Sequence, residues 1–336
     1  MKKLTVGIPR EIMPGEGRVA ILPGSLLNFL PRGVREINWL VEEGVGRESG
    51  FSNEDWTRCG AEIVSRYGVF ARADLIIKVK QPFPEEASFL CSGQGVACFH
   101  HVNANQEVVK GLLKKKVSIL PFECYPPAIR AMSQLAGERV RVVLDKFCDS
   151  SWRREKIFFG GARGTVCQTA IHHLWNTVGN PERQFWAFDL TGGWFDSVFG
   201  RRYFTFPTTD EIKLMAAIAE CKVFVLAAIT KQGAPKFLKP HHLDLMPDGA
   251  FVLQISIDEG GNIDDPDFCQ TTYWSDPTYY VRRVTKEIQV CNLPNLPGCI
   301  NPSQSSVALD RALRPYFIEL LRTWPRVPRK YIFRGF

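Results

Sequence analysis

The chain has 336 residues, 45% hydrophobic and 23% charged, which suffices for two cored domains and excludes a disordered or fibrous protein. Its net charge is +7, but apart from Lys114-Lys-Lys116 and the Arg326–Arg334 stretch the basic residues are scattered, so no nucleic-acid partner is expected. No apolar run approaches the length of a membrane span, and 10 cysteines without C-x-x-C spacing predict reduced thiols in a cytoplasmic protein, with no metal site.

Leu4–Ile8 reads as a buried, β-branched strand. The turn-rich Pro9-Arg-Glu-Ile-Met-Pro-Gly-Glu-Gly then delivers Arg18 to the head of a strand-like run, Val19-Ala-Ile-Leu. Ser25–Leu30 and Asn53–Cys59 look helical; Ile37–Val41 and Ala61–Val64 look like strands. Asp74–Lys80 is a strand stopped by Pro82 and Pro84, and Val96–Val102 and Val117–Phe122 are two more. Strands spaced this way argue a parallel α/β domain. Ala128–Leu144 predicts one long helix, softly broken at Gly137, leading into a second domain, and Asp145–Glu155 reads as irregular.

The stretch Lys156-Ile-Phe-Phe-Gly-Gly-Ala-Arg-Gly-Thr-Val-Cys-Gln-Thr-Ala170 has the outline of a strand, a tight turn and a helix N-terminus. Such a unit presents backbone N–H groups and a positive dipole end to a phosphate. About 20 residues on, Phe185-Trp-Ala-Phe ends in Asp189, where a dinucleotide fold hydrogen-bonds the adenosine ribose. The glycine pattern is Gly161-x-x-Gly164-x-x-Cys167, not G-x-G-x-x-G, so an ordinary strand-to-helix turn explains it about as well. Thr191–Phe206 resists assignment. Helices at Thr208–Glu220 and Pro240–Met246 and strands at Val223–Ala228 and Ala250–Ile255 make a second βαβ array. From Asn292 the chain is loop-like, and Ser306–Trp324 is an amphipathic helix.

Several segments, in order, resemble one family: Gly7-Ile-Pro-Arg-Glu-Ile, Pro14-Gly-Glu-Gly-Arg-Val-Ala20, Gly50-Phe-Ser-Asn-Glu-Asp-Trp56, Gly60-Ala-Glu-Ile-Val64, Ala73-Asp-Leu-Ile-Ile-Lys-Val-Lys-Gln-Pro82 and Ala131-Met-Ser-Gln-Leu-Ala-Gly137. Gly233-Ala-Pro-Lys-Phe-Leu238, Ile257-Asp-Glu-Gly-Gly261, Ser275-Asp-Pro-Thr-Tyr279 and Cys291-Asn-Leu-Pro294 continue the pattern. Together they are similar to the alanine dehydrogenases, whose N-terminal domain is shared by nicotinamide nucleotide transhydrogenases and lysine-forming saccharopine dehydrogenases. The glycine turn is closer to the saccharopine dehydrogenase form, with Cys167 in place of its third glycine. The resemblance implies two Rossmann-like α/β domains with parallel sheets and a cleft between them. Residues 1–127 with 295–336 would form the substrate and catalytic domain, and 128–294 the NAD-binding domain.

Site residues follow from the resemblance, each with a plainer explanation beside it. Arg18 would grip the substrate carboxylate, though by composition a surface ion pair explains it as well. Lys78 and Lys80 flank Val79 on an otherwise apolar strand, and a buried lysine needs an anionic partner, substrate or side chain. Lys80 matches the family's catalytic lysine. His100 and His101 would face opposite sides of their strand, with His101 the catalytic acid/base and a packed core histidine the commoner alternative. Asp258, after a strand and before Glu259-Gly-Gly, would act in catalysis, although Asp before Gly also forms turns. Asn292 would line the substrate and nicotinamide. Ser133, Gly161, Gly164, Asp189 and Ala228 would contact the cofactor, with Asp189 favouring NAD over NADP. The role of Glu123 stays open, and the pairs Asp210-Glu211 and Asp264-Asp265 cap helices or solvate loops rather than bind metal.

The expected function is NAD-dependent oxidation and reductive formation of the C–N bond of an amino or imino acid. Its substrates are a small-molecule amino acid and oxo acid, with no membrane partner; a homo-oligomer is compatible. The polar Val102-Asn103 after His101 and the glycine spacing tilt the amine from ammonia toward an amino acid. Two other readings stay open: a redox-silent binding relative, motivated by Arg163 and Cys167, and a redox-neutral NAD-dependent cyclodeaminase.

Overall fold

A computed structural model describes residues 3–30, 34–179 and 181–335. The chain divides into two compact units, Met1–Met132 with Asn301–Phe336, and Ser133–Ile300. Both crossings fall a few residues later than the sequence suggests.

The first unit is built on β1 (Leu4–Ile8), β2 (Ile37–Glu42), β3 (Ala61–Val64), β4 (Leu75–Lys80), β5 (Gly95–Phe99) and β6 (Ser118–Pro121), in the order β3-β2-β1-β4-β5-β6. Every neighbouring pair is parallel. Strand order therefore reverses between β1 and β4, the switch point where ligands settle beyond the strands' carboxyl ends. The strands are near-continuous apolar runs because helices cover them. Three crossover helices escape the sequence reading: Arg66–Arg72, Pro84–Phe89 and Gln106–Lys114. Each is nine residues or fewer, too short for helical periodicity to stand out. Burial of Val69, Phe70, Val109 and Leu112 holds the first and last of them in place.

The run Val19-Ala-Ile-Leu, buried but for the half-buried Leu22, is not a strand. Its amides are taken by side chains of the C-terminal helix Pro302–Thr323: Val19 N–H donates to Ser306 Oγ at 2.9 Å and Leu22 N–H to Asp310 Oδ1 at 3.0 Å. A short 3-10 helix, Pro23–Asn28, follows, overlapping the helical stretch expected at Ser25–Leu30.

The second unit contains β7 (Ile157–Gly160), β8 (Phe185–Asp189), β9 (Gly193–Asp196), β10 (Arg202–Pro207), β11 (Val223–Leu226), β12 (Phe251–Gln254), β13 (Tyr279–Arg283) and β14 (Lys286–Cys291). Six of these, β14-β12-β11-β7-β8-β10, form a parallel core with the first sheet's topology. β9 and β13 add antiparallel edges through hairpins. The first hairpin occupies the Thr191–Phe206 stretch that the sequence leaves unassigned. Successive residues of β7 serve opposite faces: Phe158 joins the cluster with Leu214, Ile218 and Phe268, and Phe159 the one with Val140, Leu174 and Trp152.

The long helix runs Pro126–Phe147 without a break at Gly137. A Cβ at Gly137 would lie 2.4 Å from the Val166 carbonyl oxygen and 2.6 Å from Thr169 Cβ. The glycine is a contact point between this helix and Thr165–Trp175, not a hinge.

Candidate functional site

In the first unit the predicted cationic residues gather beyond the carboxyl ends of β1 and β4. Arg18 is 4% exposed and is held by Glu16 as a fork, Nε to Oε1 at 2.8 Å and Nη2 to Oε2 at 2.5 Å. Its Nη1 lies 3.1 Å from Met132 Sδ. Burial works to raise the Glu16 carboxyl, but the charge and hydrogen bonds of Arg18, with Lys80 behind them, bring it below the usual carboxylate range. Arg18, Glu16 and Lys80 thus form one electrostatic group.

Lys78 is also paired inside the protein. It is 2% exposed, and its Nζ lies 2.7 Å from Glu86 and 3.7 Å from Glu11. Burial opposes its charge, yet those two carboxylates outweigh it and raise its pKa above the ordinary lysine value. It belongs to an internal ion network that also takes in Arg66 and Glu42, and it stands in the wall of a cavity beside Arg18.

Lys80 pairs across the sheet with Phe99, so His101 emerges from the strand next to Lys80, two residues past that pairing. His101 itself is not on the strand, which ends at Phe99. The alternation expected for His100 and His101 therefore does not apply. His101 has φ +46, a left-handed conformation that His tolerates better than most residues, and its N–H donates to Glu123 Oε1. His100 is fully buried, which pushes its pKa below the usual value, and its Nε2 meets the Val96 carbonyl at 3.1 Å. Of the two, His100 is the core histidine and His101 the half-buried one.

A cavity of about 220 Å³ opens beside Arg18 and Lys78, lined also by Glu16, Glu11 and the Gly44–Glu48 loop with Arg47; Lys80 and His101 are not in its lining.

In the second unit the turn after β7 requires glycine. Gly161 has φ +85, and a Cβ there would come within 2.7 Å of the Ala228 backbone nitrogen and Cα. Ala228 is fixed in turn by Asn262, which accepts from its N–H at 3.1 Å and donates to its carbonyl at 2.9 Å. Gly164 is the N-cap of the helix Thr165–Trp175. Cys167 is buried under that helix, its thiol pushed up by burial and directed at the Gly160 carbonyl, 3.5 Å away. It fills the place where a third glycine would bring helix and strand together. Arg163 does not crowd the turn: its guanidinium reaches Thr205, Thr191 and Gly192 and lies over the Phe195 ring of the β9–β10 hairpin. Asp189 ends β8, with Oδ2 accepting from Arg163 N–H and Oδ1 from Leu190 N–H, both at 2.8 Å. These bonds tie the acid to the turn. A carboxylate accepts several donors, so ribose hydroxyls can still reach it. The turn, the helix N-terminus and the acid at the second strand tip therefore fit a dinucleotide.

Ser133 is half-buried on the long helix, one turn before Gly137, and Asp258 is half-buried in the 3-10 turn Ile257–Glu259 after β12. Asn292 is bonded on several sides. It is fully buried; its Nδ2 donates to the Phe268 and Gln270 carbonyls at 2.7 and 2.9 Å, and its Oδ1 accepts from Gln254. The amide holds the segment before β13 against β12 and β14.

Asp210 caps the helix Glu211–Glu220, as read from sequence. Glu211, His241 and His242 bring ligand atoms within 4.8 Å of one another. However, His242 Nδ1 accepts from Lys239 N–H at 3.0 Å, which leaves the proton on Nε2, turned to Glu211 at 2.7 Å. That arrangement is a hydrogen-bonded staple, not a set of lone pairs converging on a metal.

The acids that organise the first unit, Glu11, Glu16 and Glu86, carry no sequence signal of their own; only the rule that a buried cation needs a counter-charge points to them.

The class defined by these features is the doubly wound α/β proteins with a dinucleotide turn in one unit and a buried cation–carboxylate site in the other. Residues 7–137 match the model of the alanine dehydrogenase/PNT N-terminal domain, and residues 193–326 that of the C-terminal domain. The chain belongs to the alanine dehydrogenase/PNT family. It is 26% identical over 334 residues to the alanine dehydrogenase of Bacillus subtilis, covering 94% of this chain and 85% of that one. With the alanine dehydrogenase of Mycolicibacterium smegmatis it shares 28% identity over 337 residues, covering 94% and 87%. A solved L-alanine dehydrogenase superposes with a TM-score of 0.74 at 20% identity, over 96% of this chain and 91% of that one. Residues 138–192, with the glycine turn and Asp189, lie between the two matched stretches.

Proposed function

We propose that this protein interconverts an amino acid and an oxo acid by NAD-dependent oxidation and reductive formation of a C–N bond. Its coarse assignment, an NAD-dependent amino-acid dehydrogenase, goes with its family. The observation that carries the finer reading is the grouping of Arg18, Glu16 and Lys80, with His101 on the neighbouring strand exit.

NAD, when bound, supplies the hydride acceptor. Gly161, Gly164, Asp189, Ala228 and Ser133 hold it; Arg18 and Lys80 take the substrate's α-carboxylate, and the fork of Arg18 suits a planar anion. His101 moves the proton at the substrate's nitrogen or oxygen, and Asp258 orients water during hydrolysis of the imine. The amine partner is itself an amino acid in this reading, as in saccharopine or opine formation. Two features support it: the G-x-x-G-x-x-C turn and the polar Val102-Asn103 after His101. The redox-silent alternative gains nothing from the turn, because Cys167 fits the helix–strand contact.

The test is a screen of oxo acids against ammonia and a panel of amino acids, followed as NADH consumption. Turnover with amino acids as amine is expected. Turnover with ammonia alone would return the protein to alanine-dehydrogenase chemistry, and none with any pair would overturn the proposal.

A further inference from the structure

β1 pairs with β4 only as far as Gly7 opposite Ile76. Beyond that point β4 continues to Lys80, and its ladder with β5 slips between Ile77 and Lys80. Where backbone pairing stops, a side chain takes over. Glu11, three residues past the end of β1, accepts from Val79 N–H through Oε1 at 2.5 Å and from Lys80 N–H through Oε2 at 3.4 Å. Its side chain is 6% exposed and lines the cavity beside Arg18. Two consecutive amides directed at one carboxylate mark a bulge, and a bulge re-aims the side chain that follows it.

We infer that Glu11 is the positioning residue for Lys80: its carboxylate replaces the missing β1 pairing, fixes the bulge, and so sets the direction in which the Lys80 ammonium leaves the sheet. This rests on the role given to Lys80 above. Glu11 need not touch substrate; it acts through the backbone of β4. Burial raises its carboxyl to about 7, opposed by Lys78 and reinforced by Glu16 and Glu86, which face it from the loop and from the helix Pro84–Phe89. As pH falls through that value the carboxylate gains a proton and can no longer serve both amides as an anion, so turnover should decline on the acid side through a limb near 7.

The experiment compares wild type, Glu11→Gln, Glu11→Ala and Lys80→Ala. Each is read by steady-state kcat and KM with the best oxo acid and amine from the screen, by NADH titration, and by circular dichroism. Glu11→Gln keeps an acceptor in place and does not titrate. Neutral like the protonated carboxyl, it should fall at pH 8 to the kcat that wild type keeps below the limb, and its own pH profile should lose the limb near 7. A folded Glu11→Ala should lose at least about tenfold in kcat, with NADH affinity within about twofold of wild type. Wild-type kcat at pH 8 in a folded Glu11→Ala, or in Glu11→Gln, would overturn the inference. Should Glu11→Ala fail to fold, Glu11→Gln decides alone: an unchanged limb near 7 sinks the inference. A fully active Lys80→Ala is a different failure, that of the lysine's assignment itself.

Discussion

Lys80 and Asp189 illustrate how one residue's neighbours decide what its loss will report. Removing the Lys80 ammonium leaves the Arg18–Glu16 fork intact, so Glu16 keeps its counter-charge and the unit should stay folded. Lys80→Ala is therefore expected to lose about 10²–10⁴-fold in kcat/KM while NADH binds normally; loss of both together would mean the lysine holds structure rather than substrate. Asp189 is less separable, because its carboxylate also takes Arg163 and Leu190 amides. Asp189→Ala should weaken NADH by about 1.5–3 kcal/mol, the scale of a charged hydrogen bond, and narrow the preference over NADPH. An unchanged preference, measured as the ratio of the two Kd values, would discredit its ribose role. Arg18, Lys80 and His101 were named as candidates by the resemblance, the residue pattern alone leaving a surface ion pair or a core histidine as good an explanation. Glu11, Glu16 and Glu123 were not, since acids in loops look solvated until the fold shows which amide or cation they meet. Asn292 shows the converse: nothing in Cys291-Asn-Leu-Pro foretells that its amide bonds the Phe268 and Gln270 carbonyls.

The secondary-structure elements that sequence rendered well are those whose pattern is local, such as β1, β7 and the helix Thr165–Trp175. Hairpin edges were lost, because β9, β10, β13 and β14 each gain their definition from a partner strand, and short exposed strands lack a clean alternation. The end of β5 was overrun by three residues, since Val96–Val102 is apolar enough to continue while only Glu123, from the segment after β6, pulls His101 out of line. Gly137 shows the same limit inside a helix. Read locally it is a weak point, and replacing it by alanine should help by up to about 1 kcal/mol. The added Cβ, however, would sit 2.4 Å from the Val166 carbonyl oxygen, a backbone atom that cannot turn aside. Overpacking of that kind costs about 1–3 kcal/mol, so Gly137→Ala should be net destabilising. A chemical denaturation midpoint at or above wild type would show that the two helices can part without loss.

Across the whole molecule, the same six-strand order appears in both units, yet only the second carries the Gly161 turn with an acid at the next strand tip. Cofactor binding should therefore stabilise the chain through that unit. At a hundredfold excess over Kd, a ligand confined to the native state adds about 2.7 kcal/mol, enough to move a melting transition by a few degrees. With two units the unfolding need not be two-state, so calorimetry is the appropriate reading. If the units melt separately, NADH should shift one transition and leave the other; if they melt together, the single transition should shift. Gly161→Ala must abolish the shift in either case, because its Cβ can be accommodated only by moving the Ala228 backbone that Asn262 clamps from both sides. Whatever the variant's unliganded melting profile, a full NADH shift in it would mean that the dinucleotide binds somewhere other than the turn after β7.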